Sequence, residues 1–124
     1  MERKVSMERL EKDMARNNGT VDLGYTEVNL LPDNLNVKGS LLLSCSDVVK
    51  LPSGLVVGRS LNIDNSEITE LPDDLIVNGD LYMKFSKVTK IPSTIKVGRI
   101  VLSKFSKPVE IPENLQDKVV YTNF

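Results

Sequence analysis

The chain has 124 residues, with 16 Lys and Arg against 17 Asp and Glu for a formal net charge of -1, and it contains no His, no Trp and a single Cys. At 40% hydrophobic and 27% charged residues it reads as one small globular domain, too apolar for a disordered tail and too charged for a membrane protein. Apolar runs of four residues or fewer argue against a membrane span or a secretory leader, and the absence of His with a lone Cys argues against a metal centre, an internal disulfide and most hydrolase chemistry. The expectation is therefore a protein without catalytic residues, metal or cofactor, in a reducing, cytoplasmic compartment.

Residues 1–18 form the first predicted element. With Ser6 as N-cap, Met7, Leu10 and Met14 fall at i, i+3 and i+7, charges of both signs lie between them, and Asn17-Asn18-Gly19 supplies a stop. This spacing predicts a capping helix whose apolar stripe covers the open end of the element that follows.

Residues 19–124 are a repeat. Leu31-Pro32, Leu51-Pro52, Leu71-Pro72, Ile91-Pro92 and Ile111-Pro112 recur every 20 residues without insertion. Each unit carries two short alternating runs, such as Leu55-x-Val57 and Leu61-x-Ile63, the period-2 signature of half-buried strands. A glycine-containing corner joins them (Lys38-Gly39, Gly58-Arg59, Asn78-Gly79, Gly98-Arg99), and the expected role of the glycine is a positive φ. Asp33-Asn34, Asp73-Asp74, Ser93-Thr94 and Glu113-Asn114 follow the Leu-Pro step as turn residues, so the Asp73-Asp74 pair reads as turn chemistry and not as an acid/base dyad. A unit with one buried edge must stack on its neighbours. The sequence thus predicts a mainly β fold, a parallel β-solenoid of about five coils spaced about 4.8 Å apart, with the N-terminal helix as its cap.

Stacking turns repeat positions into columns. Thr26, Ser46, Ser66, Ser86 and Ser106 form a regular polar column, expected to bond corner backbone groups from coil to coil as a structural ladder. The column beside it, Tyr25, Cys45, Asn65, Phe85 and Phe105, has the parity of the buried face, which predicts Cys45 as a small core residue and Phe85 stacked on Phe105 inside.

Charge is segregated along the chain. Residues 60–83 carry Asp64, Glu67, Glu70, Asp73, Asp74 and Asp80 after Ser60 with no base, and residues 84–107 carry seven bases and no acid. Lys84 and Lys104, like Lys87 and Lys107, are equivalent positions in successive coils, about 5 Å apart on one face. Lys84, Lys87, Lys104 and Lys107 with Asp64 and Glu67 form a candidate charged face for a partner of complementary pattern. Outward parity also aligns Val56 with Ile76, and Leu42 with Tyr82 and Leu102; Val56, Ile76 and Tyr82 form a candidate apolar contact stripe. In the fourth coil Ile100 and Leu102 sit at outward positions and Ser103 at an inward one, predicting a bulge or register shift over 98–107. The final segment, 119–124, is β-prone and either folds over the stack or pairs with a second copy as a homodimer.

The motif Leu-Pro-x-x-Leu-x-Val-x-Gly-x-Leu-x-Leu, recurring every 20 residues over about 19–115, resembles short leucine-rich-repeat-like proteins of bacteria and their phages. The resemblance implies a binding scaffold and carries over no catalytic residue. With Thr and Ser in the polar column in place of the Asn of related bacterial effector repeats, horseshoe curvature is not implied. The combined expectation is a non-enzymatic protein-binding module, an inhibitor or modulator of a host protein if phage-encoded. The alternative from another class is a nucleic-acid-associated protein using the basic face of residues 84–107.

Overall fold

The computed structural model describes residues 2–124. After an initial bridge between Lys4 and Leu30, helix α1 runs Met7–Arg16. The Ser6 hydroxyl accepts from the Arg9 N–H at 3.1 Å, and the chain leaves the helix through Asn18 and Gly19, both with positive φ. Val5 before the cap and Leu10 four residues into the helix are both buried, the positions of a hydrophobic staple. Of the expected stripe, Leu10 is fully buried, Met14 is half-buried and Met7 is exposed. Burial of Leu10 alone contributes roughly 2 kcal/mol, enough to hold a ten-residue helix that would be marginal in isolation.

The rest is a parallel β-solenoid. Strands β1 (Val21–Asp22), β2 (Asn36–Val37), β3 (Leu41–Leu42), β4 (Val56–Val57), β5 (Leu61–Asn62), β6 (Ile76–Tyr82), β7 (Lys96–Ser103) and β8 (Val119–Thr122) form one eight-stranded sheet. One face stacks β2, β4, β6 and the start of β7; the other stacks β1, β3, β5, β6, β7 and β8. In the later coils β6 and β7 run through the corner and serve both faces. A short 3-10 helix, Glu113–Lys118, replaces the turn and strand expected there, and β8 follows as the last strand of its ladder.

The core consists of columns that the 20-residue period stacks directly. Leu35, Leu55, Leu75, Ile95 and Leu115 form one, Val37, Val57, Val77 and Val97 another, and Leu41, Leu61, Leu81 and Ile100 a third, all buried. The corner glycines work differently from expectation. None of Gly39, Gly58, Gly79 and Gly98 has a positive φ; a Cβ on Gly39 would lie 2.7 Å from the Gly19 carbonyl carbon and one on Gly98 2.7 Å from the Gly79 oxygen. Glycine is there because successive backbones pass too close for a side chain.

The register shift expected in the fourth coil is present. Val77 pairs with Val97 at the 20-residue offset, but Leu81 pairs with Ile100 at 19. One residue is missing at the corner, and Ser103, buried, is the extra residue that restores the frame. This shift puts Ile100 and Leu102 into the core columns, so Leu102 does not join the outward column with Leu42 and Tyr82, and Val101 takes that place.

Candidate functional site

Each second-face strand ends in a four-residue turn closed by backbone bonds such as Ser46 N–H to Leu43 O at 3.1 Å and Ser106 N–H to Ser103 O at 3.1 Å. In the first four of these turns the third residue is left-handed: Tyr25 (φ 59°), Cys45 (58°), Asn65 (54°) and Phe85 (56°); Phe105, at the same place in the fifth, does not have a positive φ. This geometry corrects the reading of that column as core. The strand's alternation stops at the turn, and a left-handed residue throws its Cβ outward and brings the following Ser or Thr in. Tyr25 is 83% exposed, Phe85 45% and Phe105 73%, and Cys45 is exposed, so neither a core cysteine nor a buried Phe85–Phe105 stack exists. Glycine or asparagine would fill such positions at least cost; a bulky residue there costs on the order of 1 kcal/mol. The neighbouring Cys45 thiol pushes the Tyr25 pKa above its ordinary value.

The Ser/Thr column is not a continuous coil-to-coil ladder. Thr26 Oγ1 donates to Leu23 O (2.6 Å) and Ser46 Oγ accepts from Val48 N–H (3.4 Å), both within one coil. Ser106 Oγ alone reaches the preceding coil, accepting from Phe85 N–H at 3.0 Å, and the buried Oγ atoms of Ser66 and Ser86 have no partner among the described residues. Only Thr26 and Ser46 thus bond backbone of their own turn, and no bond of this column repeats from coil to coil. A ladder does run through a column that sequence reasoning passed over: Thr20 Oγ1 accepts from Ser40 N–H, Ser40 Oγ from Ser60 N–H and Ser60 Oγ from Asp80 N–H, at 3.2, 3.2 and 3.4 Å. The signal was available as the recurrence of Thr and Ser at a 20-residue interval.

The acidic and basic blocks pair with each other across neighbouring coils at the surface. Asp64 pairs with Lys84 (3.9 Å), Glu67 with Lys87, and Asp80 with Arg99 (2.8 Å). Lys84 is further engaged, its ammonium 4.7 Å from the centre of the Phe124 ring. Of the candidate charged face, therefore, Asp64, Glu67, Lys84 and Lys87 are brought together as coil-to-coil pairs, while Lys104 and Lys107 have no carboxylate partner among the described residues. The apolar stripe is divided: Val56 and Ile76 are neighbours on the first face, and Tyr82 lies on the second between Asn62 and Val101; all three are half-buried.

Two of these acids titrate in opposite senses. Burial pushes the Asp64 carboxyl up, against the pull of the Lys84 backbone N–H at 2.7 Å and its ammonium. The Arg99 guanidinium, donating at 3.1 and 2.8 Å, holds the Asp80 carboxyl below its ordinary value, and Arg99 is raised in turn. A carboxyl held low contributes stability above its unfolded pKa that is lost as pH falls through the folded one. For a carboxyl held high the fold gains as pH falls from the raised value to the ordinary one. Asp80→Asn is thus expected to lower the melting temperature at pH 7. Asp64→Asn, whose amide oxygen still accepts from Lys84, leaves it unchanged or higher. Thermal melts of both variants at pH 7 and about pH 4, close to the ordinary carboxylate value, check the opposite signs.

Around the fourth and fifth turns the surface opens into a cleft of about 500 Å³ lined by Phe85, Lys87, Val88, Phe105 and Lys107 among others. Its origin is the register shift. Earlier turns lock coil to coil, Tyr25 N–H donating to Ser44 O (3.1 Å) and Asn65 N–H to Lys84 O (2.9 Å), whereas Phe85 N–H goes to Ser106 Oγ. The fifth turn is displaced from the fourth, and the two phenylalanines stand apart from the stack with a lysine beside each. Fold and surface together define the class: a helix-capped parallel β-solenoid presenting side chains from strained corners. No family model, curated protein or solved structure matches the chain. Among the described residues no group of three or more metal-ligating side chains comes together, and no helix is long and apolar enough to cross a membrane.

Proposed function

We propose that the protein is a non-enzymatic protein-binding module whose contact surface is the corner of the fourth and fifth coils. The observation that carries this reading is Phe85: a bulky aromatic held at φ 56° and 45% exposed, where it costs conformational energy and leaves much of its apolar surface in water. Phe105 beside it is still more exposed. Aromatic side chains in such positions are typical interface anchors, and lysines at the rim supply steering. The resemblance to short repeat proteins of bacteria and phages extends the proposal to a modulator of a host protein. A protein partner is favoured over nucleic acid because Lys84 and Lys87 are engaged by Asp64 and Glu67, whose carboxylates would repel phosphates.

The test is affinity capture from the native host with the wild type and with Phe85→Ser/Phe105→Ser, compared by quantitative mass spectrometry after nuclease treatment. The expected outcome is a protein set present with the wild type and lost with the variant. Recovery of the same proteins with both, or of material that nuclease removes, overturns the reading.

A further inference from the structure

Resting on the protein-binding reading, we infer that the cleft between the fourth and fifth turns takes an extended acidic peptide segment, with one aromatic or long aliphatic side chain seated between Phe85 and Phe105 and a flanking carboxylate on Lys107. The cleft volume, about 500 Å³, lies within the roughly 300–1,000 Å³ of ordinary ligand sites. Its apolar wall is made of exposed phenylalanines, which gain most from an apolar partner that removes them from water.

Charge selects among apolar partners. Residues 84–107 hold no acid, and Lys107 and neighbouring Lys104 lack a carboxylate among the described residues, so the cleft has cations in want of anions on one side. On the other side Lys87 is held by Glu67, which fixes where positive charge is available: at the fifth coil and not along the whole column. A single-stranded nucleic acid would need a continuous basic track, and its phosphates would run over Glu67 and Asp64 one coil away. A short peptide with one or two acids beside an apolar anchor meets only the unpaired lysines. It would carry an electrostatic component that weakens with salt and an apolar one that does not.

The experiment pans a randomised twelve-residue peptide library against the full chain, with an oligothymidylate of the same length as comparator. Enriched peptides are expected to carry Asp or Glu next to Phe, Tyr, Trp or Leu. Phe105→Ala should weaken the best of them roughly 30-fold, as for truncation of an anchor, and Lys107→Glu roughly tenfold at low salt. Both substituted side chains are exposed, and circular dichroism confirms that the variants fold. Enrichment of neutral or basic peptides, binding insensitive to both substitutions, no enrichment, or tighter binding of the oligonucleotide overturns the inference. If the library yields nothing while host proteins are still captured through Phe85 and Phe105, the peptide class falls and the protein-binding reading stands; if capture fails too, both fall.

Discussion

Leu61→Ala is expected to lower stability by about 4 kcal/mol, in the upper part of the range for a fully buried leucine. Leu61 is completely buried in the middle of the column Val21, Leu41, Leu61, Leu81 and Ile100. Collapse onto the lost volume is what reduces such costs elsewhere, and here it is blocked. Leu41 and Leu81 above and below are pinned by ladder registers that fix coil spacing at about 4.8 Å, so the cavity persists. In a stack where each coil contacts only its neighbours, a weak central interface also divides the cooperative unit. For a chain of this length the change corresponds to a fall of roughly 15 °C in melting temperature. Thermal unfolding by circular dichroism reads it; a fall under about 3 °C means the coils relax around the cavity and the rigid-stack account is wrong.

Gly58→Ala should cost about 2 kcal/mol, although it adds only a methyl group. On most surfaces this substitution is neutral or mildly stabilising, because alanine restricts the unfolded chain. At Gly58 the new Cβ would meet the Lys38 carbonyl, its carbon at 2.9 Å and its oxygen closer still. Both atoms belong to backbone locked in place, the Gly58 N–H itself donating to Val37 O at 2.8 Å, so neither can swing away. Urea unfolding reads the change, with Gly24→Ala as comparator: its nearest atom, the Ser44 oxygen, would lie at 3.1 Å, a smaller overlap. Equal effects at the two positions contradict close coil approach as the reason for glycine.

How far the sequence reaches follows from the physics of stacking. A solenoid makes position in the repeat equal to position in space, so the core columns of Leu35, Val37 and Leu41 and their successors could be read directly, and the apolar mismatch at Ile100 and Leu102 disclosed the shifted fourth coil. The internal ion pairs were legible by the same logic, since Asp64 and Lys84, like Glu67 and Lys87, are 20 residues apart; blocks of one sign read along the chain obscured that they meet across it. Asp80 and Arg99 needed the shift as well.

Period-2 parity holds only while the chain is extended. At the second corner it predicted Tyr25, Cys45, Phe85 and Phe105 inside; a left-handed residue in each of the first four turns reversed the side of the column, and Phe105 is exposed without one. That conformation is hard to read from sequence because the residues in it are mostly not those that favour it. The same mismatch between residue and backbone marks the candidate surface, and the cleft depends on two offsetting one-residue irregularities that no single repeat displays.

The central claim is that binding resides in the displaced corner of the fourth and fifth coils. It is tested most directly by titrating the captured host protein against the wild type and Phe85→Ser/Phe105→Ser by calorimetry, with the folded state of both verified by their melts. The account predicts an affinity loss of roughly 30-fold or more in the variant, the scale of removing interface anchors. Equal affinity would place the contact elsewhere on the solenoid and contradict it.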